Sequence, residues 1–151
     1  MSDGPGAGPP VGEVDPGQAW QILREDSSAR LVDVRTRAEW GYVGVPDLKD
    51  LGHSTVFVEW AVWPDMSVNP RFAVEVIEAC GGAKPQTLLF ICRSGARSLR
   101  AAAMVAGYLA ESGVQATCLN VAEGFEGDLD ASGHRGGLNG WKARGLAWRQ
   151  I

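Results

Sequence analysis

The stretch LLFICRSGARSLRAAAMVAGYL, residues 88–109, decides the fold of this chain. It begins with an apolar run, which is typical of a strand covered on both faces. A short basic segment containing glycine follows Cys92 and leads into an alanine-rich run. That run predicts a helix over about residues 97–112, which would pack a small-residue face close to a sheet. The residues that we expect on this face are Leu99, Ala102, Ala103, Ala106 and Leu109.

Strands and helices alternate along the rest of the chain in the same way. Further strands are predicted at residues 29–35, 55–58 and 116–121, and further helices from Pro16, from residue 37, over 70–80 and near 140–144. Alternation of this kind implies parallel strand pairing through right-handed crossovers. The fold class is therefore α/β.

Length and composition predict a single globular domain. The chain has 151 residues, of which 45% are hydrophobic, enough for one core and too few for two ordinary domains. Residues 1–14 are dominated by glycine and proline and predict a disordered arm, so we place the domain at 15–151. This arm does not resemble a signal peptide, and no run of about 18 apolar residues predicts a membrane span.

Charge and cysteine usage exclude several classes of protein. A net charge of −4 disfavours nucleic acid and anionic membranes as partners. The three cysteines, Cys80, Cys92 and Cys118, show no metal-ligand spacing, and only two histidines accompany them, so we predict no metal. Without a secretion signal the cysteines are best interpreted as free thiols of a cytoplasmic protein.

Cys92 is either a buried core residue or a nucleophile. Free cysteine is often buried as a small apolar side chain, and Cys80 and Cys118 fit that description. Cys92, however, stands at the end of a predicted parallel strand, where ligands of α/β folds bind. The loop after it would direct backbone N–H groups and a helix N-terminus at the sulfur, and its arginines would add positive charge, which favours a reactive thiolate. The loop residues are Arg93, Ser94, Gly95, Ala96, Arg97 and Ser98.

Three segments in this order resemble single-domain rhodaneses, which are sulfurtransferases. They are LVDVRTRAEW at 31–40, CRSGARS at 92–98, and NVAEGFEG with NGWKARGLAW near the C-terminus. The resemblance implies a five-stranded parallel sheet with helices on both faces and a catalytic cysteine, Cys92, that carries sulfur as a persulfide. The backbone N–H groups of residues 93–98 would cradle the anion.

The same resemblance predicts the reactants. A small anionic donor gives its sulfane sulfur to Cys92, and a thiol, a protein or cyanide accepts it, with no cofactor. Thiosulfate is our first choice of donor because arginines beside the cysteine favour a small dianion. Asp33 and Arg35 match residues that lie near the active-site loop in the family. We expect them to support that loop, with Glu39 paired to Arg35, or else to form an ordinary surface ion pair.

Some positions depart from the family pattern or remain open. Relatives usually carry a Gly-His-Ile-Pro-Gly-Ala segment after the first helix. Here the segment GHSTVFVEW, at 52–60, keeps Gly52 and His53 but lacks the proline and the second glycine. A lone histidine in such a place is more often structural than ligand-binding, so we expect no binding role for His53. His134 and Arg135 are candidates for a flap over the site.

Two other functions compete with sulfur transfer. A phosphatase or arsenate reductase of the same fold also uses a cysteine loop, typically with arginine at the sixth position after the cysteine. Here Arg97 is at the fifth position and Ser98 at the sixth. The shorter loop suits one added sulfur atom better than a phosphate group. The second alternative is a rhodanese-like module that only binds a partner, although such modules have often lost the cysteine.

Overall fold

A parallel sheet of five strands forms the centre of the fold. The computed structural model describes residues 10–81 and 86–151. In chain order its elements are β1 (Gly12–Val14), α1 (Pro16–Glu25), β2 (Arg30–Asp33), α2 (Arg37–Val43), β3 (Val45–Pro46), a 3-10 turn (Lys49–Leu51), β4 (Val56–Phe57), β5 (Ala61–Val62), β6 (Ser67–Val68), α3 (Phe72–Ala79), β7 (Thr87–Ile91), α4 (Ala96–Glu111), β8 (Thr117–Val121) and β9 (Trp148–Arg149).

The strand order in the sheet is β1-β8-β7-β2-β4, and every neighbouring pair is parallel. Asp33 pairs in register with Ile91, and Phe90 pairs with Asn120. The carboxyl ends of β2, β7 and β8 therefore meet at one edge of the sheet. The predicted α/β class, with a five-stranded parallel sheet, is confirmed.

Apolar side chains cover both faces of the sheet. One core cluster joins β7 residues such as Phe90 to α3 and α4. The other joins Leu89 to α1, Phe125 and Trp141. Because successive strand residues point to opposite faces, the continuous apolar run of β7 contributes side chains to both clusters. Helices on both faces were also expected and are confirmed.

Helix α4 presents a face that differs partly from the prediction. Its buried residues are Ser98, Ala101, Ala102, Val105, Ala106 and Leu109. Leu99 and Ala103, which we expected on the buried side, are exposed. Small residues occupy nearly the whole middle of this helix, so composition did not fix which stripe faces the sheet. The observed stripe brings the polar Ser98 to the sheet edge beside β7.

The start of the chain corrects the predicted arm. Gly12–Val14 forms the edge strand β1, parallel to β8, so the expected arm over 1–14 was too long. Residues 1–9 lie outside the described part. Strand pairing uses backbone groups, so this segment needs few apolar side chains to join the sheet. Gly12 suits the position, because a Cβ there would lie 2.8 Å from the Leu119 side chain.

The first two helices begin at side-chain caps. Asp15 caps α1 in a capping box with Gln18, and Thr36 caps α2 in a box with Glu39. The short helix expected at 140–144 is wrong, since that segment forms turns that lead to β9. Within the described ranges, no helix is both long and apolar enough to cross a membrane.

Candidate active site

Cys92 lies directly after β7, at the base of a loop that enters α4. Its sulfur accepts hydrogen bonds at 3.2 Å from the Gly95 N–H and at 3.2 Å from the Ser98 hydroxyl. Gly95 has φ +106°, a left-handed conformation that glycine adopts without strain. The side chain of Cys92 is only 1% exposed. The sulfur thus has two donor groups within hydrogen-bond distance, at the positive end of a 16-residue helix.

Ser98 and Asn120 form a polar network behind the sulfur. The Asn120 amide nitrogen donates to Glu13 Oε2 at 3.0 Å and to the Gly95 carbonyl at 3.1 Å. These two bonds orient the Asn120 carbonyl oxygen, which contacts Ser98 Oγ at 2.5 Å. A serine hydroxyl has one hydrogen, so it donates either to Asn120 or to the Cys92 sulfur. Ser98 can therefore exchange one hydrogen bond between these two acceptors.

Arg97 points to Glu39 and forms a two-pronged ion pair with it. The Nη1 and Nη2 atoms of Arg97 lie 2.7 and 2.8 Å from the two Glu39 oxygens, and both side chains are 21% exposed. Burial disfavours the charged form of Glu39, but hydrogen bonds and charge from Arg97, with hydrogen bonds from Thr36, outweigh it. They lower the pKa of Glu39 to about 2. The expectation that Glu39 pairs with Arg35 was wrong.

Arg35 instead forms a fully buried pair with Asp33. Arg35 Nη2 lies 2.7 Å from Asp33 Oδ2, both side chains are 0% exposed, and the same nitrogen donates to the Gly44 carbonyl. This burial excludes an ordinary surface ion pair. The Arg35 guanidinium also lies 4.3 Å from the centroid of the Phe125 ring. Phe125 in turn donates its N–H to the Cys92 carbonyl at 2.8 Å. Phe125 thus links the Asp33–Arg35 pair to the Cys92 loop. This contact fits the role of supporting the loop that we expect for the pair, and that role stays a prediction.

A turn after β8 braces the Cys92 loop from the other side. Glu126 and Gly127 both donate their N–H groups to the Arg93 carbonyl, at 3.0 and 3.1 Å. Gly124 has φ +69°, and a Cβ on it would lie 2.5 Å from that same carbonyl oxygen. No other residue type fits so close to the loop without displacing it.

A cavity of about 900 Å³ opens beside the loop. The loop residues Arg93 and Arg97 line it, together with His134 and Arg135 from the segment after β8. The two flap candidates therefore do face the same cavity as the loop. His53 does not line this cavity. It precedes β4, at the amino end of that strand, and its Nε2 lies 2.7 Å from the Leu23 carbonyl oxygen.

The remaining loop residues differ in exposure. Arg93 and Ala96 are exposed, whereas Ser94 is half-buried. Across residues 10–81 and 86–151, no three histidine, cysteine, aspartate or glutamate side chains are grouped so that they could hold a metal ion.

The other two cysteines are core residues, as expected. Burial raises the pKa of the Cys118 thiol to about 11. Burial also raises the pKa of Cys80, with a smaller opposing effect from Arg30.

The sequence interpretation missed Asn120 and Phe125. Asn120 was treated only as part of a core strand, yet it is the one amide side chain in that run. A polar residue at the carboxyl end of a buried strand next to the cysteine strand would have been a usable signal. Phe125 carried no such signal, since its role depends on the position of Arg35.

Two relatives match this chain over most of its length. A Mycobacterium tuberculosis protein of known crystal structure, Rv0390, is 46% identical, with a TM-score of 0.78 over 93% of this chain and 98% of that one. The uncharacterized protein RC0915 of Rickettsia conorii is 32% identical over 132 residues, which cover 87% of this chain and 92% of the relative. The chain belongs to the same family as these two proteins.

More distant similarity extends only to the fold of this family. A Rhodopseudomonas palustris protein described as a possible tyrosine phosphatase, RPA3614, is 14% identical, with a TM-score of 0.51 over 92% of this chain and 85% of that one. No protein-family model matches the chain.

Proposed function

We propose that this protein is a sulfurtransferase that carries sulfane sulfur as a persulfide on Cys92, with thiosulfate as the first choice of donor. The observation that supports it best is the position of the sulfur, which lies at the start of α4 within hydrogen-bond distance of the Gly95 N–H and the Ser98 hydroxyl. Donors fixed in place before the reaction stabilise a thiolate and then a persulfide anion.

In the first half-reaction the Cys92 thiolate attacks the outer sulfur of thiosulfate. The sulfur–sulfur bond of the donor breaks, its electron pair leaves with sulfite, and a Cys92 persulfide forms. In the second half-reaction an acceptor thiolate or cyanide attacks the outer sulfur of the persulfide. The bond to Cys92 then breaks and the thiolate is regenerated, so no external oxidant or reductant is needed.

The charges near the loop favour this reaction over phosphate hydrolysis. A phosphatase loop uses its arginine to neutralise a phosphate group, but both prongs of Arg97 are bound to Glu39. Arg93 has no ion-pair partner among the described residues, so it is free to attract a small dianion. A partner-binding module without chemistry would not need two donors aimed at a buried sulfur.

Mass spectrometry tests the proposal directly. After incubation with thiosulfate and removal of the excess, we expect one added sulfur that disappears on treatment with cyanide. Cys92→Ala should take up none, whereas Cys118→Ala should still be loaded. Uptake of cyanide-labile sulfur by Cys92→Ala would contradict the proposal. We also expect negligible turnover of an aryl phosphate.

A further inference from the structure

The hairpin of β5 and β6 exposes an unusual amount of apolar surface. Trp63 is 68% exposed at its turn, and the rest of the hairpin adds further exposed apolar side chains: Val62, Met66 and Val68. Tryptophan is highly buried in most proteins, and contiguous exposed apolar patches commonly mark interaction sites. Trp63 and Met66 line the cavity beside the Cys92 loop, so this patch is continuous with the candidate active site.

The part of the cavity lining that follows β8 combines an apolar side chain with positive charge. Leu129, 55% exposed, lies on the segment after β8. Arg135 is fixed on the same segment by a hydrogen bond from its Nη1 to the Gly127 carbonyl. In the part of the chain that the structure describes, neither Arg135 nor Arg93 takes part in an ion pair. Glu126 is the one lining carboxylate not bound to an arginine, so positive charge is in excess.

The cavity is much larger than the proposed donor. Thiosulfate has five non-hydrogen atoms, and at roughly 30 Å³ for each water-sized atom it fills on the order of 150 Å³. The cavity volume of about 900 Å³ is in the range that accommodates much larger ligands. Thiosulfate has no apolar part, so it cannot account for Trp63, Met66 and Leu129 at the cavity walls.

We propose that this cavity is the docking site of a protein that accepts the sulfur. The acceptor would present a short segment in which the receiving cysteine stands beside apolar side chains and one or more carboxylates. The apolar side chains would contact Trp63 and Leu129, and the carboxylates would pair with Arg93 and Arg135. This inference rests on the proposed function: the acceptor thiolate attacks the outer sulfur of the Cys92 persulfide, becomes a persulfide itself, and releases the Cys92 thiolate.

Binding is tested without the chemistry. The probe is a fluorescein-labelled peptide that carries two leucines or phenylalanines and two glutamates around a serine in place of the cysteine. We expect anisotropy to show binding to the unloaded protein that weakens with added salt and weakens at least fivefold in Trp63→Ser. The matched control is Tyr108→Ser, which removes an aromatic residue that is 37% exposed on α4 and does not line the cavity. It should bind as the original protein does.

Transfer is tested with the cysteine form of the same peptide and the persulfide-loaded protein. We expect the second-order rate to exceed that of a peptide with lysines for glutamates by at least tenfold. Trp63→Ser should lower the rate for the acidic peptide at least fivefold and leave that for dithiothreitol within twofold. Leu129→Ser, in the segment after β8, should act in the same way and replaces Trp63→Ser if that variant does not fold.

The two proposals fail in different ways. If no persulfide forms on the original protein, the sulfurtransferase function fails, while the anisotropy measurement still decides whether the peptide docks. If the persulfide forms but both wall variants bind and discharge to the peptide as the original protein does, the docking site is wrong. An equal loss of transfer rate for dithiothreitol and for the peptide would also overturn the docking proposal. The substitution would then have changed the reactivity of the Cys92 persulfide and not the binding of the peptide.

Discussion

Replacing Glu39 with glutamine should destabilise the protein in a way that depends on pH. The Arg97 ion pair helps to hold the pKa of Glu39 at about 2, against an ordinary value of 4.5. This difference corresponds to about 3 kcal/mol of stabilisation at neutral pH, and the side chain is 21% exposed, so solvent screening is limited. Since glutamine retains some hydrogen bonding to Arg97, we expect a loss of about 2 to 3 kcal/mol at pH 7.

The sign of the pH effect follows from the direction of the pKa change. Folding lowers the pKa of Glu39, so the stabilisation is fully present above pH 4.5 and is lost as the pH falls toward 2. At pH 3 only about 1 kcal/mol remains. The difference in unfolding free energy between the original protein and Glu39→Gln should therefore shrink by more than half between pH 7 and pH 3.

Urea denaturation at several pH values measures this difference. The matched control is Glu78→Gln, because Glu78 lies 4.0 Å from Arg71 in an ion pair whose side chains are 63% and 66% exposed. It should change the unfolding free energy by less than about 0.5 kcal/mol at every pH. A loss below about 0.5 kcal/mol for Glu39→Gln at pH 7, or a loss that does not shrink in acid, would refute the reasoning.

Two further predictions concern the candidate site, and a third concerns the buried thiol of Cys118. Ser98→Ala should slow sulfur uptake from thiosulfate about tenfold or more, because a hydrogen bond to a charged group contributes roughly 1.5 kcal/mol or more; a rate within twofold in a mass-spectrometric time course would exclude that role. Gly124→Ala should lower the unfolding free energy by more than 2 kcal/mol and impair loading, since its Cβ would meet the Arg93 carbonyl at 2.5 Å. Gly133→Ala, at φ +80° with open space around it, should cost only about 1 kcal/mol in the same denaturation assay. Iodoacetamide at pH 8 should label Cys118 in the native protein far more slowly than in urea, because burial raises its pKa to about 11, and equal rates would contradict this.

The central strands and helices could be predicted because burial and capping leave local patterns. The apolar run of β7, the cap at Asp15 and the position of Cys92 at a strand end are all features of neighbouring residues in the sequence. Strand β1 could not be found in this way, because Gly12–Val14 joins the sheet through its backbone and has no apolar alternation.

The side-chain partners in the site were less predictable. Arg35 and Glu39 are four residues apart, which suggested a local pair, but burial of Arg35 beside Asp33 leaves Glu39 for Arg97, 58 residues away. The sequence supplied the charged residues, but their pairing depends on the way the loop and α2 pack. The same is true of Asn120, whose amide is oriented by Glu13 from the far end of the chain.

That last contact has a practical consequence for work on this protein. The glycine- and proline-rich N-terminus looks like a tail that can be removed or replaced by an affinity tag. Cutting the chain at residue 15 would remove an edge strand of the sheet together with the carboxylate that holds Asn120 against Ser98. If such a shortened protein had poor activity, the cause would be the loss of Glu13 and not an inactive Cys92. Trimming should stop before Val11, which packs against the core cluster that joins β7 to α3 and α4.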